Sequence, residues 1–298
     1  ALSSQNLGGT GEVVLNASTN LDTAYITYSG GGEVLTHAAT HTIRGTGNIH
    51  VNLLNNGLVN ADRAGRILSL RTTNKSNNAT MKATNGGTLS VNGILISQSP
   101  GAQLLGDGGT VLIAGGHIVG GHMNAMNDGM IDFSSNNRAD GITLAGPARI
   151  FNGSSLQIHA NLVNNGTITV NPTAGGNGTF VQALSTQGLN GTGEVVLNAS
   201  TNLDTAYITY NGGGEVLTHA ATHTIRGTGR VYVSLANDGL VHADRDARVL
   251  ELLGISKTNN ATMKSSNGGI LAVTSIGLTQ APTAQLLGDG GSVRIFGT

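Results

Sequence analysis

Short runs that alternate apolar and polar residues, each bounded by glycine, asparagine or aspartate, set the rhythm of this chain. They read GEVVLNA from Gly11, GEVLTHA from Gly32, GNIHVNL from Gly47, GTLSVNG from Gly87 and GTVLIAG from Gly109. GMIDFSS from Gly129, SLQIHAN from Ser155 and GTITVNP from Gly166 continue the series. A period of two with β-branched enrichment predicts strands, and the polar punctuation predicts tight turns. No 3.6-residue period survives over a useful window. The longest helical candidate, NADRAGRILSLRTTN, is interrupted by Gly65 and ends in β-branched residues and asparagine. Several runs start about 20 residues apart, which is the length of one winding of a β-solenoid.

A larger period lies over the small one. Leu7 to Gly47 repeats as Leu189 to Gly229, differing only at Gly8/Asn190 and Ser29/Asn211. The offset of 182 holds without insertion, so residues 1–116 align with 183–298 and residues 117–182 intervene. The reading is one continuous all-β solenoid over 1–298, a single-stranded, right-handed parallel β-helix. At about 20 residues per coil and ~4.8 Å per coil, some 14 or 15 coils would make a rod of roughly 70 Å. In such a stack each coil need only match its neighbours, so duplicating a block lengthens the rod without a new core.

The two copies also report which side chains face inward. Ile49/Val231, Val51/Val233 and Leu53/Leu235 stay apolar, while Asn48/Arg230, His50/Tyr232 and Asn52/Ser234 change between them. That pattern predicts odd positions buried and even ones solvated. It adds Leu58, Val59, Ala61, Leu68 and Leu70 to the core. The pairs Asn55-Asn56, Asn77-Asn78, Asn136-Asn137 and Asn164-Asn165 suit left-handed turn positions and the stacking of amides from coil to coil.

Composition narrows the function. Only 10% of the 298 residues are charged, with 15 basic against 16 acidic side chains. The absence of a basic face argues against a nucleic-acid partner. Glycine is abundant, at 46 residues, but without the every-third spacing of collagen. No apolar run approaches the ~20 residues of a membrane span, and no signal peptide opens the chain. Ala1 therefore reads as the start of a mature or excised piece. The lack of cysteine favours an exported protein.

THTIRGTGNIHVNLLNNGLVNAD and GSSLQIHANLVNNGTITVN resemble the β-helical repeats of large secreted bacterial exoproteins and adhesins, the autotransporter-passenger and filamentous-haemagglutinin type. The shared elements are a G-x-G-x-(I/V) opening, an apolar alternation, and N-(N/D)-G-(L/T)-(V/I)-x-(A/V). The resemblance covers essentially the whole chain. It implies an extracellular or cell-surface stalk, fibre or attachment surface. Its partners would be further copies, neighbouring coils of a longer parent, or a cell-surface glycan or other host or bacterial surface ligand.

Candidate chemistry is thin. THAATH places His37 and His41 at i,i+4, repeated as His219 and His223. In an extended strand the rings would stand ~13 Å apart, too far for one metal, unless AAT turns a corner. Stacked or solvated turn histidines are the expectation, with His50 on the surface and little expected of His117 and His122. GDGGT at Gly106–Thr110 offers one carboxylate, Asp107, where calcium wants several. A polysaccharide lyase or glycosidase needs two or three carboxylates on adjacent coils of one face, or a base beside an arginine. The richest acidic patch is Asp128, Asp132 and Asp140 with Arg138; Asp128 reads as a turn residue and Asp132 as outward-pointing. Tyr25, Tyr28, Tyr207 and Tyr210 recur in both copies as a small outward ladder or as packing. No catalytic, cofactor or metal residue is assigned, and a structural or adhesive rod is preferred over an enzyme or a phage-tailspike-like shaft. Open coil ends add the expectation that the fragment self-associates end to end.

Overall fold

The computed structural model describes residues 3–297, and the chain falls into two compact units, Ala1–Ala148 and Arg149–Thr298. Each is a β-solenoid of parallel strands, as the periodicity predicted. The chain makes about 12 turns of ~22 residues with essentially no helix. Fewer turns than the expected 14 or 15 result because some windings are long. Glu12 pairs with Thr42, whereas Val34 pairs with Asn52. Between the strands Glu12–Asn16 and Val34–His37 the chain makes an excursion through a short 3-10 turn, Leu21–Thr23, capped by the Asn20 side chain on the Asp22 amide. Leu203–Thr205 repeats this behind Asn202.

Most turns contribute one strand to each of three walls. In the first unit the first wall contains Val34–His37, Asn52–Asn55, Lys75–Asn77 and Leu95–Gln98. The second contains Leu58–Ala61, Thr80–Thr84, Gln103–Asp107 and His122–Met126. The third contains Ile67–Arg71, Thr88–Asn92, Thr110–Ala114 and Met130–Ser134. In-register pairing stacks like upon like. Val59, Met81, Leu104 and Met123 form one inward file, and Leu70, Val91, Ile113 and Phe133 another, all buried. Val59, Ala61, Leu68 and Leu70 are core, as predicted. Leu58 is not: it occupies an outward position and is half-buried.

The G-x-G of the repeat is a corner. Strand Thr42–Ile49 leaves the second wall and enters the third through Gly45 and Gly47, at φ 107° and 145°. A Cβ on Gly45 would lie 2.0 Å from the Leu15 carbonyl oxygen, so only glycine lets the turns approach here. Arg44 then clamps the turns on either side, with Nε 2.7 Å from Glu12 and Nη1 3.1 Å from Asp62. Arg226 repeats the clamp on Glu194 and Asp244, at 2.6 and 3.0 Å.

Two features of the interior are polar. The expected amide stack exists, but it runs inside the solenoid, and Asn55 and Asn77 are not left-handed. His41 Nδ1 meets His37 Nε2 at 3.3 Å, and His37 Nδ1 meets Asn55 Oδ1 at 2.6 Å. Asn55 Nδ2 donates to Asn77 Oδ1 at 2.8 Å, Asn77 Nδ2 to Gln98 Oε1 at 3.1 Å, and Gln98 Nε2 to the Gly120 carbonyl at 3.1 Å. The second unit builds the same series. Asn164 Nδ2 reaches His223 Nε2 at 2.9 Å, and His223 Nδ1 reaches His219 Nε2 at 3.1 Å. His219 then meets Asn237 at 2.6 Å, Asn237 meets Asn259 at 2.8 Å, and Asn259 meets Gln280 at 3.2 Å. An amide NH₂ can only donate and an amide oxygen only accept, so one assignment satisfies the series of the second unit: His219 and His223 neutral, each donating from Nδ1.

The second polar feature went unread in the sequence. Lys75 occupies the file Leu53–Lys75–Ile96 and is 2% exposed; Lys257 holds the matching place at 1%. Each ammonium caps carbonyls at the corner that leads into its own strand. Lys75 Nζ donates to Thr73 O at 2.5 Å and Arg71 O at 3.2 Å, and Lys257 Nζ to Ile255 O at 2.5 Å and Leu253 O at 3.0 Å. Burial pushes both pKa values down to about 7.

Candidate functional site

The histidines of THAATH do come together, because Ala38–Thr40 turns the corner between the first and second walls. The His37 and His41 ring centroids are 5.3 Å apart and edge-on, and those of His219 and His223 are 5.2 Å apart. They are buried rather than solvated; both nitrogens of His37, His219 and His223, and Nδ1 of His41, are engaged in the polar stack. Among the described residues no group of three or more histidine, aspartate or glutamate side chains is placed to hold a metal. Asp107 ends a second-wall strand, 2.7 Å from Asn127 Nδ2 and 3.5 Å from Lys82 Nζ. The Asn127 hydrogen bond outweighs the small effect of burial, and with Lys82 holds this carboxyl below its ordinary range.

The acidic patch is dispersed around one winding. Asp128 is a left-handed turn residue at φ 62°, as predicted. Asp132 belongs to the third-wall strand Met130–Ser134 and is 5% exposed, so it is covered rather than solvated. Asp140 ends the strand Asn136–Asp140, which pairs with His117–Val119 on the first wall. There Arg138 grips it at 2.9 Å and His117 Nε2 lies 2.9 Å away. Burial raises the Asp140 pKa, but these hydrogen bonds overcome it and leave the carboxyl below its usual range. A carboxyl so held is poorly suited to donate a proton near neutrality. His122 stands on the second wall, paired with Gln103 and Thr143.

The tyrosines lead to a more organised place, in the second unit. Strand Phe180–Ala183 pairs with Tyr207–Tyr210, which pairs with the end of Thr224–Val231, which pairs with Val249–Leu253. This register puts Phe180, Tyr207, Arg230 and Glu251 in one outward file. The Phe180 and Tyr207 rings stack with centroids 5.0 Å apart, and Tyr232 stands edge-on to Tyr207 at 5.9 Å. Arg230 is the hub. Its Nε is 2.8 Å from Glu251, its Nη1 contacts Asp204 and donates to the Tyr232 hydroxyl at 3.1 Å, and its guanidinium carbon lies 5.9 Å from the Tyr232 ring centroid. Tyr232 in turn donates to Asp204 Oδ1 at 2.8 Å, and Thr274 donates to Glu251 at 2.9 Å.

Asp204 reaches this cluster because the Asn202-capped turn presents it there. Burial lifts its pKa, but hydrogen bonds from Arg230 and Tyr232 bring it below the usual carboxylate range. Burial, and then the negative charge of Asp204, raise the Tyr207 hydroxyl. Burial and the hydrogen bond to Asp204 raise Tyr232. At neutral pH the shelf therefore presents protonated phenols around a fixed carboxylate. Asp204, Tyr207, Thr209, Tyr210, Gly212 and Tyr232 enclose an open concavity of about 460 Å³. On the far side of Arg230, a second groove of about 380 Å³ is lined by Leu203, Val249, Glu251, Ile270 and Ala272 among others.

The first unit shows the same stretch of wall without the shelf. Asn48 replaces Arg230, is fully buried, and donates to Asp22 at 2.7 Å, so this even position is not solvated as the alternation predicted. His50 replaces Tyr232 and bonds Thr72 at 2.8 Å, with Tyr25 edge-on to it at 6.1 Å. Ser69 stands where the second unit has Glu251. In the sequence alone, Asn48/Arg230 and His50/Tyr232 look like free variation. The signal available was that a third exchange, Ser69/Glu251, falls one winding later, where the file continues. No protein-family model, curated protein or solved structure matches the chain.

Proposed function

We propose that this chain is a structural and adhesive segment of a large secreted or surface-anchored bacterial repeat protein, serving as stalk, fibre or attachment surface. One observation carries the reading. Between the two copies, the inward files, the Gly-x-Gly corner, the arginine clamp and the polar stack are retained with matching geometry, while outward positions on the strands that follow the corner are rewritten. What is retained holds windings together, which is the requirement of a scaffold. What changes is the face such a scaffold offers to its surroundings. Asp128, Asp132 and Asp140 are dispersed, and Asp204 and Glu251 are both tied to Arg230, which supports this reading over polysaccharide cleavage, where two carboxyls must be free to act on one bond.

Antibodies against the purified chain, used for immunogold electron microscopy of the producing cells, are expected to label the cell surface or released filaments. Label confined to the cytoplasm would overturn the proposal. So would release of new reducing or unsaturated ends when the chain is incubated with polysaccharides.

A further inference from the structure

We infer that the shelf around Tyr207, Tyr232 and Asp204 is a binding site for a neutral oligosaccharide, deepening the reading of the chain as an attachment rod. The concavity of about 460 Å³ has the makeup of a sugar subsite. Aromatic rings give broad dispersion contact to the C–H face of a pyranose, and few rotatable bonds are frozen on binding. Polar groups that fix the orientation of hydroxyls converge on the same place. Asp204 contributes an exposed carboxylate, its side chain 51% accessible, whose Oδ1 is already oriented by Tyr232 and Arg230. Thr209 supplies a hydroxyl at the rim.

Charge selects the class of glycan. Arg230 is shared between Asp204 and Glu251, so the cluster carries one positive group against two negative ones. A uronate or sialate entering here would meet a net negative cluster whose cation, Arg230, is already paired. A neutral sugar meets hydrogen-bond acceptors without that penalty. Phe180 and Tyr207 continue along the wall at 5.0 Å, offering further ring surface to an extended chain.

The first unit supplies the argument that these residues serve something other than folding. The same block of windings forms with Asn48, His50 and Ser69 in these places. The solenoid therefore does not require Arg230, Tyr232 and Glu251. Their joint presence joins an aromatic ring, a hub cation and a second carboxylate into one cluster, linked by hydrogen bonds and ring contact.

The test follows from that natural control. With no tryptophan in the chain, tyrosine emission reports on the shelf. The full chain is titrated, by tyrosine fluorescence and calorimetry, with cellohexaose, mannohexaose and chitohexaose as neutral probes and with hexagalacturonate as the anionic one. At least one neutral probe is expected to bind. Tyr232→His and Tyr207→Leu should each weaken it about tenfold or more, while Tyr25→Leu in the first unit leaves it unchanged. The triple exchange Arg230→Asn, Tyr232→His, Glu251→Ser installs the residues of the first unit and is expected to fold and melt like the parent while losing the probe. Binding of none of the neutral probes, binding of the anionic probe alone, or full retention by the triple variant would each overturn the inference. Surface label without sugar binding would remove this site and leave the scaffold reading standing.

Discussion

Thermal stability is expected to climb continuously from pH 4 to about pH 9, instead of peaking near neutrality. Two buried groups impose the slope from opposite ends. On the acid side, the series Asn164–His223–His219–Asn237 works only with neutral imidazoles. Protonating His219 at Nε2 would set its N–H against the N–H of His223. Burial, with the neighbouring His219, depresses the His223 pKa to about 3, and burial lowers His219 and His37 as well. The unfolded chain takes up these protons near pH 6.5, so it binds more of them than the folded chain does throughout the interval below. Stability is therefore lost as pH falls from 6.5, at ~1.4 kcal/mol per unit, or about 2–3 kcal/mol through His223 alone by pH 4.5.

On the alkaline side the unfolded lysines titrate near 10.4, while the buried Lys75 and Lys257 titrate at about 7. Between these values the unfolded state again holds more protons, so stability rises with pH. Each lysine contributes about 2–3 kcal/mol between pH 7 and 9. Melting followed by circular dichroism from pH 4 to 9 checks both limbs. His223→Gln should flatten the lower limb and Lys257→Met the upper. A profile that is flat, or one that both variants leave unchanged, would refute the assignment.

Those lysines also mark where the sequence stopped being legible. Strand positions and the inward files could be read because a period of two survives in runs such as GTLSVNG, and because the duplication shows Ile49 exchanged only for Val231. The corner glycines were visible as a motif, although their cause, carbonyls 2.0–2.2 Å from any added Cβ, needs the stacked backbone. A lysine in an otherwise polar KSN run looks like surface, and only the register with Leu53 and Ile96 reveals it as core. The number of windings was overestimated because a Gly-rich excursion and a 3-10 turn use chain without adding a coil. The shelf was missed for a related reason. Arg230 and Glu251 are neighbours across a strand pair, but sequence separation conceals that until each winding's length is known.

Asn77→Ala is expected to cost about 3–5 kcal/mol, far more than its polar, repetitive setting suggests. The side chain is wholly buried and does four jobs at once. Its Oδ1 receives Asn55 Nδ2 at 2.8 Å and the Ala79 amide at 3.3 Å, and its Nδ2 serves Gln98 Oε1 at 3.1 Å and the Gln103 carbonyl at 3.2 Å. Truncation strands polar groups on both sides and opens a void too enclosed for its walls to collapse fully. An apolar replacement, Asn77→Leu, fills space but restores none of these bonds, so it should rescue little. The neighbouring Asn78 makes the contrast. It faces solvent and stacks on Asn56 at 2.9 Å, where water replaces whatever is lost, so Asn78→Ala should stay within about 0.5 kcal/mol of the parent. Because each winding touches only those on either side, the damage should spread outward from the turns carrying Asn55 and Gln98. Hydrogen exchange should accordingly show protection lost there first. Equal costs at Asn77 and Asn78 would mean that the inner amides stack without bearing the fold, and that apolar files alone keep the windings in register.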